Sequence, residues 1–241
     1  MSDALTLREL RGLLYRADAE AIVDVLNSDR QRPQYSLQMT GDLVLVAVDG
    51  HGPAVEDAAR RIATELRERD WEGDEELALQ IEAAYGWVPV PLLRPQPVDL
   101  DAFSSVLEGD PALGGGRLEL ATGEAWPETV FDEAYTGIPY DEEADAPDRW
   151  LRVHCLGSRE SYRDMERFID TVDDERLAER LWRAIQGRGA FRRFKDVLYD
   201  WPEHQEHQER WYAFNEDRHR GRARAWLVAE GYAPVPPRRD L

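Results

Sequence analysis

Cysteine occurs once in 241 residues, at Cys155, so no internal disulfide forms and a disulfide-stapled secreted scaffold is excluded. Lysine also occurs once, at Lys195, so the positive charge is carried almost wholly by arginine. No apolar run approaches the ~20 residues that a membrane-spanning helix needs. The longest, Leu43-Val44-Leu45-Val46-Ala47-Val48, has the length of a strand. Met1 to Leu5 lacks the basic and apolar regions of a signal peptide. These absences point to a cytoplasmic protein with no membrane partner. There is no Cys cluster, no Asp-x-Asp-x-Asp-Gly calcium loop and no Ser–His–Asp signature with local support, so no metal or cofactor is expected.

What is present is enough apolar material for a core and a strongly uneven charge. Hydrophobic residues make up 42% of the chain, aromatics 10% and charged residues 33%, the balance of a folded domain. The formal net charge is -19. Residues 1–150 hold 12 basic and 32 acidic side chains, whereas residues 151–241 hold 18 and 17. That acidity opposes indiscriminate binding of polyanions by the whole molecule. It leaves room for a local basic site on the nearly neutral second half.

Apolar spacing predicts a helix over Leu7 to Leu14 and a second one capped by Asp18. Tyr35–Met39 and Leu43–Val48 read as two strands around Thr40-Gly41-Asp42, a hairpin. A helix after Pro53 carries Val55, Ala58, Ala59, Ile62 and Leu66 on one face, and another spans Glu75 to Tyr85. Trp87–Leu93 holds two prolines and reads as an edge strand or extended link. Asp99–Leu107 is a short helix. Gly114-Gly115-Gly116 lacks the Lys-Ser/Thr of a phosphate loop and reads as a linker. The domain boundary is placed there, between an acidic α/β module of residues 1–110 and a second module of residues 115–235.

The second module opens with a hairpin, Arg117 to Trp126, turning at Thr122-Gly123. Phe131 to Asp148 contains seven acids and no basic residue, a solvated loop. Trp150–Leu156 is a strand. Four helices follow. Ser158 caps the first, which buries Tyr162, Met165, Phe168, Ile169 and Val172. Asp173 caps the second, with Leu177, Leu181 and Ile185 inward. Gly189 opens the third, with Phe191, Phe194, Val197 and Leu198 inward. Pro202 starts a long fourth, anchored by Trp211, Phe214, Ala225 and Trp226. The expected class is α+β, with small mixed or antiparallel sheets and a C-terminal half of about four helices.

The run Gly187-Arg188-Gly189-Ala190-Phe191-Arg192-Arg193-Phe194-Lys195-Asp196 packs four cations and two aromatics into ten residues. Together with the hairpin, the Trp150 strand, Tyr162/Met165/Glu166/Phe168, Trp211-Tyr212-Ala213-Phe214 and Ala225-Trp226-Leu227, it resembles an uncharacterised bacterial protein family. That family is number 158 of the series reserved for families of unknown function. The resemblance covers about residues 117–230 and implies no catalytic residue, because the family has no assigned site.

Glycines before a helix free its backbone N–H groups, and Arg188, Arg192, Arg193 and Lys195 surround that positive end, which suits an anion. With Arg218, Arg220, Arg222 and Arg224 a basic surface would form. Arginines interleaved with aromatics suit phosphates or single-stranded bases. The alternative is a helix–turn–helix corner with solvated arginines. Nine basic and seven acidic residues between Arg188 and Arg224 are few for a nucleic-acid groove and favour the corner. His204 and His207 lack further metal ligands. Cys155 beside His154 reads as a structural thiol, because adjacent strand residues face opposite ways. Trp182, Trp201, Trp211 and Trp226 read as core.

The function expected is a non-enzymatic binding or regulatory protein, with a protein or anionic ligand at Arg188, Arg192, Arg193, Lys195, Arg218 and Arg222. Two alternatives stand beside it. One is an enzyme acting on a phosphorylated small molecule, which needs a concave pocket holding an arginine pair. The other is an acidic nucleic-acid mimic built on residues 1–150.

Overall fold

The computed structural model describes residues 4–48, 53–137, 146, 148–202 and 204–237. In chain order the elements are α1 (Leu7–Arg16), α2 (Ala19–Leu26), α3 (Leu37–Ala47), α4 (Pro53–Arg69), α5 (Asp74–Ala84), β1 (Arg94–Pro97) and α6 (Leu100–Leu107). They continue with β2 (Gly116–Glu119), β3 (Ala125–Pro127), α7 (Glu133–Thr136), β4 (Trp150–Val153), α8 (Ser158–Ile169), α9 (Glu175–Ile185), α10 (Ala190–Asp200), α11 (His204–Ala229) and β5 (Tyr232–Val235). The protein is α+β. Its sheets are a parallel pair, β1–β5, and an antiparallel three-stranded sheet in the order β3-β2-β4.

Several starts obey local capping chemistry. Thr6 and Glu9 form a reciprocal capping box on α1. Asp18 and Asp99 accept from the first free N–H groups of α2 and α6. Two expected caps are displaced by one residue. Asp174, not Asp173, caps α9 by accepting from the Arg176 and Leu177 N–H groups. These bonds, with Leu177 foremost, hold its carboxyl below the usual range. Gly157, not Ser158, precedes α8, at φ 74°.

The expected hairpin around Thr40-Gly41-Asp42 is instead helix α3. Gln38 through Val44 are all buried, because α1, α2, α4, α5 and α11 surround this helix. A helix buried all round shows no apolar stripe, so its short apolar run is indistinguishable from a buried strand. Gly41 permits the close approach of α5: a Cβ there would lie 2.5 Å from Leu77 Cδ2.

Trp87–Leu93 forms no strand. Pairing begins one residue later, where the Arg94 N–H donates to the Gly231 carbonyl at 3.0 Å and β1 runs parallel to β5. Prolines 95 and 97 lack a donor, which a two-stranded sheet tolerates. The Arg117–Trp126 hairpin forms, with Gly123 at φ 76° in its turn. Gly115 and Gly116 are not a linker. Gly116 begins β2 and pairs with Pro127 and Val153, and a Cβ there would strike the Val106 side chain and the Trp126 carbonyl. The acidic stretch Phe131–Asp148 includes α7, and its residues 138–145 and 147 lie outside the described residues.

Met165, Phe168, Leu177, Leu181, Phe194, Leu198, Trp211 and Phe214 form the core of the C-terminal helices. Each such side chain contributes ~1.5–3 kcal/mol when fully buried. Tyr35 and Trp71 reach this core from the first half, stacking on each other at 5.9 Å and meeting the Phe214 ring edge-on at 5.1 and 5.2 Å. Phe191, expected inward, is 40% exposed.

Candidate functional site

Residues Asp217 to Arg224 of α11 carry an arginine at every second position. Residues two apart on a helix face different sides, while residues four apart share one. The four arginines therefore divide into two pairs. Arg218 and Arg222 turn towards α8. Arg218 Nε donates to Asp164 Oδ1 at 2.9 Å, and Arg222 donates to Asp164 Oδ2 and Glu108 Oε1, both at 2.6 Å. Arg220 and Arg224 turn towards α3. Arg224 donates to Asp42, to Gln38 Oε1 at 3.0 Å and to Gln80 Oε1 at 2.8 Å. Arg220 holds Asp42 and Glu216 more loosely, each at 3.4 Å. Asp217 lies between the pairs, accepting from the Gln38 N–H at 2.9 Å and from Arg69.

All four guanidinium groups are buried. A buried charge requires a partner, and here each has at least one carboxylate. Burial pulls the Arg222 pKa down, but Asp164 and Glu108 outweigh it and hold the group firmly charged. The single basic surface expected from Arg188–Lys195 and Arg218–Arg224 is accordingly not formed. The second set lies inside the protein and fastens α11 to α3, α6 and α8.

The α9–α10 corner is different. Gly187 and Gly189 take φ 79° and 76°, conformations that side chains rarely adopt, and these bend the chain between the helices. Arg193 locks that bend. Its Nε donates to the Ala184 carbonyl at 2.9 Å, its Nη2 to the Gln186 carbonyl at 2.7 Å, and its Nη1 to the Arg188 carbonyl. It thus satisfies the free carbonyls at the end of α9. Arg193 belongs to the corner's structure.

Arg188, Arg192 and Lys195 are exposed. The Arg192 side chain is 89% exposed, with Asp196 at 3.8 Å its one carboxylate neighbour among the described residues. Phe191, Lys195 and Tyr199 stand four apart and share the outer face of α10, all exposed. Tyr199 Oη meets Tyr212 Oη at 2.9 Å, which joins an exposed residue of α11 to the stripe and raises the Tyr199 pKa. The depression between α9 and α10, about 350 Å³, is open and lined by Arg180, Arg183, Arg193, Asp196 and Asp200.

Cys155 is half-buried, its Sγ 3.3 Å from the Val106 carbonyl, and burial pushes its thiol pKa up. His154 is exposed. Among the described residues, no three His, Cys, Asp or Glu side chains are grouped to hold a metal. The His204 side chain lies outside those residues. Trp211 is buried and Trp201 and Trp226 are half-buried, but Trp182 is 37% exposed. No helix among the described residues is long and apolar enough to cross a membrane.

Residues 138–241 match the family described as Uncharacterised protein family (UPF0158). The C-terminal half resembles this family. A UPF0158 protein of Pseudomonas aeruginosa is 26% identical over 148 residues, which span 59% of this chain and 89% of that protein. No solved structure matches the chain. The region matching UPF0158 contains the whole α9–α10 corner and all four buried arginines of α11, but neither Asp42 nor Glu108, two of the carboxylates that hold them.

Proposed function

We propose that this chain is a non-enzymatic binding protein of the bacterial cytoplasm and that the outer face of α10 recognises an anionic partner. The reading rests on one contrast. The arginines of α11 are buried against carboxylates, whereas Arg188, Arg192 and Lys195 are exposed beside the aromatic stripe of Phe191, Tyr199 and Tyr212. Side chains that neither pack a core nor hold an element in place are available to a ligand. Cations supply attraction to phosphate or carboxylate, and the rings supply flat apolar contact. The α10 N-terminus adds to this, because Gly189 caps it without a side-chain hydrogen bond. The net charge of -20 on residues 1–150 restrains indiscriminate polyanion binding.

Fluorescence anisotropy of the full chain tests the reading, with a labelled single-stranded oligonucleotide and a labelled acidic peptide as separate probes. Binding of at least one is expected. It should weaken as salt rises and fall at least about tenfold in Arg188→Ala/Arg192→Ala/Lys195→Ala, the loss of two or more surface charge contacts. Absence of binding to both probes at low salt overturns the reading, as does unchanged binding by the triple variant.

A further inference from the structure

A second place on the molecule has the build of a small-molecule site. A cleft of about 330 Å³ lies between α1, α6, α11 and β5, within the range of ligand pockets. Its wall is apolar along Leu14, Val98 and Pro236, and Arg220, Asp42 and Arg11 bring charge to it. Arg220 and Asp42 are each more than nine-tenths buried. Arg220 differs from the other three arginines of its series. Their hydrogen bonds run from 2.5 to 3.0 Å, whereas both contacts of Arg220, through Nε and Nη1, are 3.4 Å long. Its Nη2 makes no hydrogen bond among the described residues.

A guanidinium held this loosely, and opening on a cavity, has a donor nitrogen that can take a further acceptor. The same cleft is lined by Asp101, exposed at the start of α6, whose carboxylate makes no hydrogen bond among the described residues. One cleft therefore offers a loosely held cation, a carboxylate that makes no hydrogen bond among the described residues and has the field of Arg11 near it, and an apolar wall. A doubly anionic ligand would meet Asp42 and Asp101, and a simple cation would meet Arg220. A molecule carrying both charges on an apolar body meets each with its opposite.

We infer that this cleft binds a small zwitterion of the amino-acid type with an apolar side chain. The carboxylate sits on Arg220, the ammonium on Asp101, and the side chain lies against Leu14, Val98 and Pro236. The site is separate from the outer face of α10 and does not depend on it.

Isothermal titration calorimetry of the full chain tests this with three probes that share one ring: L-phenylalanine, 3-phenylpropionate and phenethylamine. L-Phenylalanine should bind at least about tenfold tighter than the two singly charged probes, the value of one charge-assisted hydrogen bond. Asp101→Asn, at an exposed position, should bring L-phenylalanine to the level of 3-phenylpropionate and leave the latter unchanged. Gly12→Leu fills the cleft from α1 and replaces a mid-helix glycine with a better helix former, so it should fold and bind none of the three. The inference is overturned if no probe binds at millimolar concentration, if 3-phenylpropionate binds as tightly as L-phenylalanine, or if a folded Gly12→Leu binds like the wild type.

Discussion

Arg224 and Asp42 stand 182 positions apart in the chain and form a buried ion pair that joins the longest helix of the C-terminal half to the most buried helix of the first half. Arg224 is fully buried, and its Nε and Nη1 donate to Gln38 and Gln80, so each of its three nitrogens has a partner across this junction. Removing one partner of such a pair leaves a charge in a medium that cannot solvate it, at a cost of ~3–5 kcal/mol. Asp42→Ala should lose that much stability in urea, because it leaves Arg224 without a carboxylate and Arg220 with Glu216 alone. A loss below about 1 kcal/mol, the value of an exposed pair, would show that water reaches the site.

A backbone contact constrains the same junction. Gly221 of α11 lies against the Glu72 carbonyl, and Gly73, at φ 85°, lies against the Gly221 backbone. A Cβ on either glycine would overlap backbone, which cannot rotate away as a side chain does. Gly221→Ala should therefore destabilise the protein by ~1–3 kcal/mol, although alanine is the better helix former in isolation. Thermal unfolding measures this, and a variant more stable than the wild type would refute the close approach.

His219 should make stability depend on pH near neutrality. Burial holds its pKa below the ordinary histidine value, against the opposing pull of Glu108, while Arg222 lowers it further. Its Nε2 is 3.8 Å from Glu108 Oε2 and makes no hydrogen bond among the described residues. Because the folded pKa is depressed, the unfolded chain binds the proton first as pH falls. Stability is lost on acidification through the ordinary histidine range and is regained as pH rises. The wild type should lose more stability than His219→Gln between about pH 7 and pH 5.5, a window above the titration of ordinary carboxylates. Urea denaturation at the two pH values reads the difference, and parallel losses in both proteins would remove His219 as its source.

The sequence made some of this plain and hid the rest for physical reasons. Amphipathic helices such as α9 and the hairpin turning at Gly123 carry local signals, a one-sided apolar stripe and a turn glycine. Helix α3 carried none, because it is buried on every side and its run Leu43–Val48 has no polar face to set a period. The basic run at Gly187–Asp196 was visible, but not the division of labour within it. Arg192 and Arg193 are neighbours of one type, and only the bend at Gly187 and Gly189 turns Arg193 onto carbonyls and Arg192 outward. The alternating arginines of α11 were legible as a charge pattern. Their burial was not, since Asp42, Glu108 and Asp164 lie 54 to 182 residues away along the chain. The stripe of Phe191, Lys195 and Tyr199 does have a sequence signal, a spacing of four, which an inward placement of Phe191 concealed.

The central claim is that the cations at the start of α10 serve a partner and that Arg193 serves the fold. Urea denaturation of Arg188→Ala/Arg192→Ala/Lys195→Ala beside Arg193→Ala tests it most directly. The triple variant should stay within about 0.5 kcal/mol of the wild type, as exposed uncommitted side chains do. Arg193→Ala should lose ~1.5–3 kcal/mol with its charged hydrogen bonds to the end of α9. A triple variant as damaged as Arg193→Ala would make the whole basic run a structural corner and contradict the account.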